Sequence, residues 1–194
     1  MPIPRLHRDG TALLVIDLQE RLLPTIHLGN DIAFNCGVLM DVADALGLPT
    51  LVTEQYVRGL GHSVATIRER IRPSTPVIEK TRFSAAVRPV MAFLEERRIG
   101  TVLLCGIESH VCVLQTALDL LAGGRRVFLA TDAISSGQAD QVPHAFARMQ
   151  AAGAVRTGTL GATYELLADA ADPAFKACLA LVRGVRSVRH VSGG

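Results

Sequence analysis

Short runs of apolar residues alternate along the chain with longer segments in which apolar residues have helical spacing. The apolar runs predict strands at residues 11–16, 50–53, 76–78, 101–105, 126–130 and 155–157. The helical segments cover residues 32–46, 87–97, 111–122, 142–152, 164–168 and 173–182. Buried strands that lead into helices are typical of a parallel sheet covered on both faces. The pattern therefore predicts an α/β fold with three layers, α/β/α, around a mainly parallel, Rossmann-like sheet of six strands.

The composition fits one globular domain. The chain has 194 residues, of which 49% are hydrophobic and 20% are charged, and this length is sufficient to bury a core. No internal repeat, low-complexity segment or linker interrupts the pattern. We therefore expect residues 1–194 to form a single domain with its core at about residues 10–183.

Charge and hydropathy give expectations about partners and location. The formal net charge is +2, and the densest positive stretch, residues 183–190, is typical of a solvated tail. The sequence has no basic stripe of the kind that binds nucleic acid and no run of about 20 apolar residues that would span a membrane. Residues 1–9 lack a signal-peptide pattern. We predict a cytoplasmic protein without nucleic-acid or membrane partners.

Neither the cysteines nor the histidines have the spacing of a metal site. The four cysteines form no CxxC pair, and the six histidines show no HxH or HxxxH spacing. No GxGxxG or P-loop motif follows a predicted strand, so nucleotide binding also lacks support. We expect free thiols, no metal and no cofactor.

Several chemically active residues stand at the predicted carboxyl ends of strands. Asp17, Glu54 and Lys80 lie at or just past such ends, and residues 106–112 form the turn after the fourth strand. In a parallel α/β sheet the ligand site lies beyond the carboxyl ends of the strands, where the strand order reverses. These positions are therefore the candidates for chemistry.

Cys112 lies in the first turn of a helix that follows a strand and a glycine-containing turn. The positive end of the helix dipole favours a thiolate, so we expect this thiol to be more acidic than free cysteine. The backbone N–H groups there are suited to bind a developing oxyanion. Position alone leaves a buried structural cysteine as an equal alternative. Cys105, which ends an apolar strand, is predicted to be a core residue.

Asp17 and Lys80 are possible partners for such a thiol. Asp17 would accept its proton, and the Lys80 ammonium would lie between the carboxylate and the thiolate and keep both ionised. The alternatives are a carboxylate that only caps a loop and a lysine that is only solvated. His110, two residues before Cys112, is a weak candidate for the base because residues two apart at a helix start point in different directions.

These three positions occur in segments that resemble the isochorismatase-like hydrolase superfamily, also called the cysteine hydrolases. The segments are LLVIDLQ around Asp17, EKTRFS around Lys80 and LLCGIESHVCVLQTALDLL around Cys112. The last of these, together with VTEQY at residues 52–56, is most similar to the isochorismatase domain-containing subgroup. The resemblance covers roughly residues 10–183 and implies the isochorismatase-like hydrolase fold.

The resemblance implies roles for the candidate residues. Cys112 would be the nucleophile, Asp17 the general base and Lys80 the third member of a catalytic triad. A cis peptide bond is implied between Ile107 and Glu108, where it would aim the Glu108 N–H, together with that of Cys112, at one point as an oxyanion hole. A homo-oligomer, a dimer or larger, is implied by family habit. Residues expected to line the substrate pocket are Gln19, Tyr56, Phe83 and His110.

Two departures from the family pattern bear on the substrate. Nicotinamidases bind a divalent metal through an aspartate and histidines after the second strand, where this chain has only His62 nearby. Dedicated isochorismatases cleave a vinyl ether without needing a cysteine nucleophile. We therefore predict a metal-independent hydrolase of a small-molecule amide or related carbonyl C–N bond. Vinyl-ether hydrolysis and a catalytically silent, metabolite-binding protein remain the alternatives.

Overall fold

The structure, a computed structural model, describes residues 3–190 and is built around one six-stranded sheet. The strands are β1 (Thr11–Ile16), β2 (Thr50–Gln55), β3 (Val77–Lys80), β4 (Thr101–Ile107), β5 (Arg126–Ser135) and β6 (Val155–Thr157). Their order is β3-β2-β1-β4-β5-β6, and every neighbouring pair is parallel. The predicted α/β class is confirmed, with the sheet parallel throughout rather than only mainly so.

Helices cover both faces of the sheet. They are α1 (Gly29–Leu46), α2 (Val57–Leu60), α3 (Ala65–Arg68), α4 (Arg88–Glu96), α5 (Leu114–Ala122), α6 (Gln141–Ala151), α7 (Thr159–Leu167) and α8 (Phe175–Val182), with a 3-10 turn at Leu23–Thr25 and a π-helical turn at Ser109–Val113. One apolar cluster joins α1, α3, α7 and α8 to the sheet, and a second joins α4, α5 and α6 to its other face. No helix within residues 3–190 is long and apolar enough to cross a membrane.

The two apolar clusters explain why the strands have no polar alternation. Leu13 and Val15 of β1 belong to the first cluster, whereas Leu14 and Ile16 belong to the second. Successive side chains of a strand point to opposite faces, so a strand covered on both faces must be apolar at every position. This is the physical basis of the uninterrupted run from which β1 was predicted.

The two largest boundary differences from the prediction lie in the C-terminal half. β5 runs to Ser135, five residues beyond its predicted end at residue 130, after a register shift in its pairing with β4. α7 begins at Thr159 rather than near residue 164. The Asp132 carboxylate accepts hydrogen bonds from the Thr159 backbone N–H, at 2.8 Å, and from its hydroxyl. Because such a bond satisfies a free donor of the first helical turn, it stabilises the earlier start.

The sheet order places a crevice between β1 and β4. The chain builds outward from β1 through β2 to β3 and then crosses to β4, from which it builds in the opposite direction. The strand order therefore reverses between the two central strands, where ligands bind in this class of fold. Asp17 and Glu108, the residues that directly follow these strands, flank that point.

Gly106 is required where β4 lies beside the end of β1. It pairs with Ile16 and has a φ of 117°. A Cβ atom at this position would meet the Ile16 carbonyl oxygen and lie 2.6 Å from the Ile16 nitrogen. We expect Gly106→Ala to lower the free energy of unfolding by at least about 3 kcal/mol, as measured by urea denaturation, because neither backbone atom is free to move aside.

Gly100 provides the matched control for this substitution. It directly precedes the first residue of β4, and a Cβ atom there would have no other atom within 4 Å. Gly100→Ala should change the stability by less than about 1 kcal/mol. Equal losses in the two variants would show that crowding against Ile16 is not the cause.

Candidate active site

Asp17 is held rigidly at the end of β1. Its backbone is left-handed, with a φ of 53°, a conformation that aspartate tolerates better than most residues. Its N–H donates to the Thr53 carbonyl oxygen at 3.1 Å, and the Thr53 hydroxyl donates to Asp17 Oδ1 at 2.7 Å. The carboxylate is fully buried. One of its oxygens is thus occupied by Thr53, which leaves Oδ2 for other partners.

Lys80 reaches Asp17 across the intervening strand β2. Its Nζ lies 2.6 Å from Asp17 Oδ2, and both side chains are 0% exposed. The ammonium also donates to Gln55 Oε1 at 2.8 Å and to the Phe83 carbonyl oxygen at 3.0 Å. Its three hydrogens therefore have acceptors, and this matters because a buried charge without partners is costly.

Cys112 lies beside this ion pair, within the π-helical turn. Its thiol is close enough to Asp17 and Lys80 for both charges to act on its pKa, and the residue is 5% exposed. The Ile107–Glu108 peptide bond before this turn is cis, at the position that the resemblance implied. Within residues 3–190 the Glu108 backbone N–H has no hydrogen-bond acceptor. A thiol, a carboxylate and an ammonium thus meet at the reversal point, next to a free backbone donor.

The structure contradicts the expectation that the Cys112 thiol is unusually acidic. Burial raises its pKa well above the ordinary value, and the Asp17 carboxylate raises it further, while Lys80 acts in the opposite direction. Burial also raises the pKa of the Cys36 and Cys178 thiols. The dipole at the helix start favours the thiolate, but burial and the nearby Asp17 carboxylate oppose it more strongly. Cys112 is distinguished from Cys36 and Cys178 by its place beside the buried Asp17–Lys80 pair rather than by acidity.

The raised pKa predicts how Cys112 reacts with an alkylating agent. The resting thiol is neutral, and below its pKa the thiolate fraction grows tenfold per pH unit. We therefore expect its alkylation by iodoacetamide, followed by mass spectrometry, to accelerate about tenfold per unit between about pH 6 and pH 9. Cys112→Ala gives the background from the three buried thiols. A rate that is already independent of pH below neutrality would indicate a preformed thiolate instead.

Hydrogen bonds connect the segment after Lys80 to the helix that carries Cys112. The Thr116 hydroxyl donates to the Cys112 carbonyl oxygen at 2.6 Å and accepts from the Ala85 N–H at 2.8 Å. The Phe83 carbonyl oxygen, in the same segment, holds the Lys80 ammonium. The relative position of ammonium and thiol is thus set by one short stretch of chain.

Thr53 and Gln55 are site residues that the sequence pattern did not reveal. Gln55 accepts from Lys80 and donates through Nε2 to the Thr81 carbonyl oxygen at 2.7 Å, which fixes the orientation of its amide. Both residues lie on β2, and the twofold alternation of a strand directs them to the same face. The polar residues at the end of β2 were a signal for this part of the site, but the sequence prediction named only Glu54 among them.

Glu54 points away from the Asp17–Lys80 pair, and its hydrogen bonds hold the loop at residues 62–63. Its carboxylate accepts from the Ser63 N–H and hydroxyl, each at 2.7 Å, and lies 2.9 Å from His62 Nδ1. With these partners it is not available to the thiol. Its part is to hold residues 62–63 against the end of β2.

Gln19 does not line the site, contrary to the expectation from sequence. Its side chain is fully buried, and its Nε2 donates to the carbonyl oxygens of Gln55 and Gly61 at 2.9 and 2.6 Å. Its Oε1 accepts from the Gln55 N–H at 2.7 Å. The oxygen and the nitrogen of the Gln19 side-chain amide are therefore both hydrogen-bonded to backbone groups of the protein. Gln19 acts on the site only by positioning Gln55, which contacts Lys80.

The other three predicted pocket residues are more exposed than Gln19. Tyr56 and Phe83 are 56% and 52% exposed, so neither ring belongs to the core. His110 is half-buried, with Nδ1 2.7 Å from the Ser136 hydroxyl oxygen. A cavity of about 520 Å³ adjoins Lys80, and its lining residues are Tyr56, Val57, Arg58, Glu79, Lys80, Thr81, Arg82, Val87 and Pro89. Tyr56 thus lines the cavity, whereas Phe83 and His110 are not among its lining residues.

The described part of the chain, residues 3–190, contains no group of three or more His, Cys, Asp and Glu side chains arranged to hold a metal ion. Glu54, near the end of β2, contacts His62, but no third side chain of these types among the described residues completes a metal site with them.

The fold and the site together define a parallel α/β protein with a buried Cys–Asp–Lys cluster at its topological switch point. The isochorismatase domain matches residues 11–159. The chain is 35% identical over 176 residues to isochorismatase domain-containing protein 2 of Danio rerio, covering 90% of this chain and 87% of the relative. The chain therefore belongs to the isochorismatase family, and its fold is that of the family's hydrolases. The resemblance inferred from the motifs is confirmed.

Solved structures give the same result. A structure described as MAR1 ribonuclease from Caenorhabditis elegans superposes with a TM-score of 0.90 at 36% identity, over 97% of this chain and 100% of that one. YcaC from Pseudomonas aeruginosa, solved with hexane-2,5-diol and covalent acrylamide, superposes with a TM-score of 0.86 at 25% identity, over 93% of each chain.

Proposed function

We propose that this chain is a metal-independent cysteine hydrolase that cleaves a small-molecule amide or related carbonyl C–N bond through an acyl-enzyme on Cys112. The observation that carries the proposal is the fully buried Asp17–Lys80 pair, whose two charges lie close enough to the Cys112 thiol to act on its pKa. Burying two charges is expensive, and well-packed apolar residues would stabilise the same position at least as well. A functional role for the pair explains its presence better than stability does.

Proton transfer from Cys112 to Asp17 would begin the reaction. Because the thiol pKa is raised, the thiolate forms only as the base takes the proton. Thr53 and Lys80 hold the two carboxylate oxygens and keep the base oriented. The Lys80 ammonium then balances the negative charge on sulfur. The alternative role, a permanent thiolate stabilised by the helix start, does not fit a raised thiol pKa.

The Cys112 sulfur would then attack the carbonyl carbon. An S–C bond forms and the carbonyl electron pair moves to oxygen, where the Glu108 and Cys112 N–H groups would stabilise the oxyanion. As the intermediate collapses, the C–N bond breaks and protonated Asp17 gives its proton to the leaving nitrogen. A water molecule, deprotonated by Asp17, attacks the thioester and releases the acid, and the proton returns to sulfur.

The surroundings of the triad support a small substrate. Tyr56, Phe83 and His110 are accessible enough to serve as pocket walls. The cavity that includes Tyr56 and Lys80 has the size of known small-molecule sites, although its lining includes neither Asp17 nor Cys112. The covalent acrylamide of the Pseudomonas aeruginosa relative supports a nucleophilic site in the family, since acrylamide is an electrophile. A homo-oligomer, a dimer or larger, and a cytoplasmic location remain predictions.

A screen of amides, ureas and ring carbonyl compounds tests the proposal. Amine or ammonia release is measured, and peptide mapping by mass spectrometry locates any acyl adduct. We expect turnover of at least one compound, with an adduct on Cys112. Because a relative is described as a ribonuclease, RNA oligonucleotides form a second arm, and vinyl ethers form a third. Turnover confined to either of these arms, or neither turnover nor adduct in any arm, would contradict the proposal.

A further inference from the structure

The side chain of Glu108 has no part in the mechanism above, although its backbone N–H does. The Glu108 carboxylate is nevertheless firmly held. Its Oε2 accepts from the Ser136 hydroxyl at 2.9 Å and from the Gly137 N–H at 2.8 Å. Both partners directly follow β5, whereas Glu108 directly follows β4. The carboxylate therefore ties the turn before Cys112 to the end of the neighbouring strand.

His110 is a third member of this arrangement. Its Nδ1 lies 2.7 Å from the Ser136 hydroxyl oxygen. A carboxylate only accepts, so the single Ser136 hydrogen points to Glu108 and the hydroxyl oxygen accepts from His110 Nδ1–H. Two of the three side chains belong to the turn and the third is outside it. We call this chain from His110 through Ser136 to Glu108 the turn clamp.

The outer end of the turn clamp is itself fixed. Ser136 is fully buried, and its carbonyl oxygen accepts from the His27 N–H at 3.0 Å. The adjacent Ser135 hydroxyl donates to the His27 carbonyl oxygen at 2.8 Å. The segment that receives the carboxylate is therefore bonded to the chain before α1 and offers a stationary anchor.

We propose that Glu108 is a positioning residue whose carboxylate, through the turn clamp, holds its own backbone N–H toward the substrate oxygen. The inference rests on the proposed function, because it assigns the N–H to the oxyanion hole. A side chain and a backbone N–H of one residue share a Cα atom, so fixing the carboxylate limits rotation of the peptide group. Loss of one oxyanion donor costs about 10²–10³ in kcat, and a misplacement of about 1 Å costs about 10².

Two reactions of the same thiol separate this role from a general structural one. With p-nitrophenyl acetate, sulfur bonds to the carbonyl carbon, the thiol proton passes to Asp17, the electron pair moves to oxygen, and collapse expels p-nitrophenolate. With iodoacetamide, sulfur bonds to the methylene carbon and iodide leaves, so no oxygen becomes charged. Only the first reaction needs the oxyanion hole.

The measured quantity is the rate of the p-nitrophenolate burst divided by the rate of iodoacetamide alkylation of Cys112. We expect Glu108→Ala to lower this ratio about 10- to 100-fold, with the alkylation rate changed less than about threefold. Glu108→Gln keeps an acceptor oxygen for Ser136 and Gly137 and should restore the ratio to within about threefold of wild type. If Glu108→Ala fails to fold, Ser136→Ala removes the central hydroxyl and should lower the ratio about three- to tenfold.

Asp132→Ala is the matched control, because Asp132 also anchors a neighbouring segment through a carboxylate but lies outside the turn clamp. It should leave the ratio unchanged. An unchanged ratio in both Glu108→Ala and Ser136→Ala, while wild type shows a burst that Cys112→Ala lacks, would overturn the inference and leave the proposed function intact. A wild type without a burst, or a burst retained in Cys112→Ala, would overturn both.

Discussion

Replacing Cys112 by alanine should lower kcat by at least about 10⁴-fold with any substrate of the enzyme. Removing a nucleophile removes the covalent route entirely, and the remaining donors and binding contacts supply only a small residual rate. The burst with p-nitrophenyl acetate should vanish as well. Steady-state kinetics and burst amplitude per mole of protein measure the two effects.

Cys178→Ala controls for the loss of a buried thiol. Cys178 is fully buried in α8, on the opposite face of the sheet from the cluster that contains Cys112. Its replacement should change kcat by less than about threefold, since it has no contact with the ion pair. A Cys112→Ala enzyme that retains more than about a tenth of the wild-type kcat would rule out covalent catalysis by this residue.

The fold class was predictable because its signals are local in the chain. β1 and β4 are continuous apolar runs, and the helices that follow end at glycines, so each element was visible within about ten residues. The boundaries that were missed depend on distant partners. The start of α7 depends on Asp132, which lies 27 residues before Thr159.

The proximity of Asp17, Lys80 and Cys112 was predictable for the same reason, whereas the residues around them were not. Asp17, Lys80 and Cys112 follow elements that are visible locally, and their segments match a family. Thr53 and Gln55 contact Asp17 and Lys80 because β2 lies between β1 and β3 in the sheet. That strand order cannot be predicted from a local sequence pattern. The prediction for Gln19 was wrong because a polar residue that follows a buried aspartate can equally be a buried structural residue or line a pocket.

The thiol pKa shows a third limit of local reasoning. A helix start acts on the residue within its own turn, but the Asp17 carboxylate reaches Cys112 from a segment 95 positions earlier, as the residue numbers show. Burial and that anion act in the same direction. The direction of the shift in the Cys112 pKa therefore depends on the tertiary structure, which brings Asp17 and Cys112 together.

The buried ion pair should make each of its members costly to replace. Lys80→Met leaves the Asp17 carboxylate buried without a cation, beside the Thr53 hydroxyl and the Cys112 thiol. We expect a loss of about 3–5 kcal/mol in the free energy of unfolding. For a chain of this length that corresponds to a fall of roughly 6–20 °C in Tm. Thermal and urea denaturation at neutral pH measure the change.

Removing both charges should cost less than removing one. The double variant Asp17→Asn/Lys80→Met has no uncompensated ion, so it should be more stable than Lys80→Met, with a coupling energy of about 1–3 kcal/mol. The exposed pair Arg72–Asp44 is the control, since its side chains are 48% and 52% exposed and Arg72→Met should cost less than about 1 kcal/mol. Additive losses at Asp17 and Lys80 would contradict an energetic link between them. A double variant that is inactive yet as stable as the wild type would show that this ion pair serves the reaction rather than the fold.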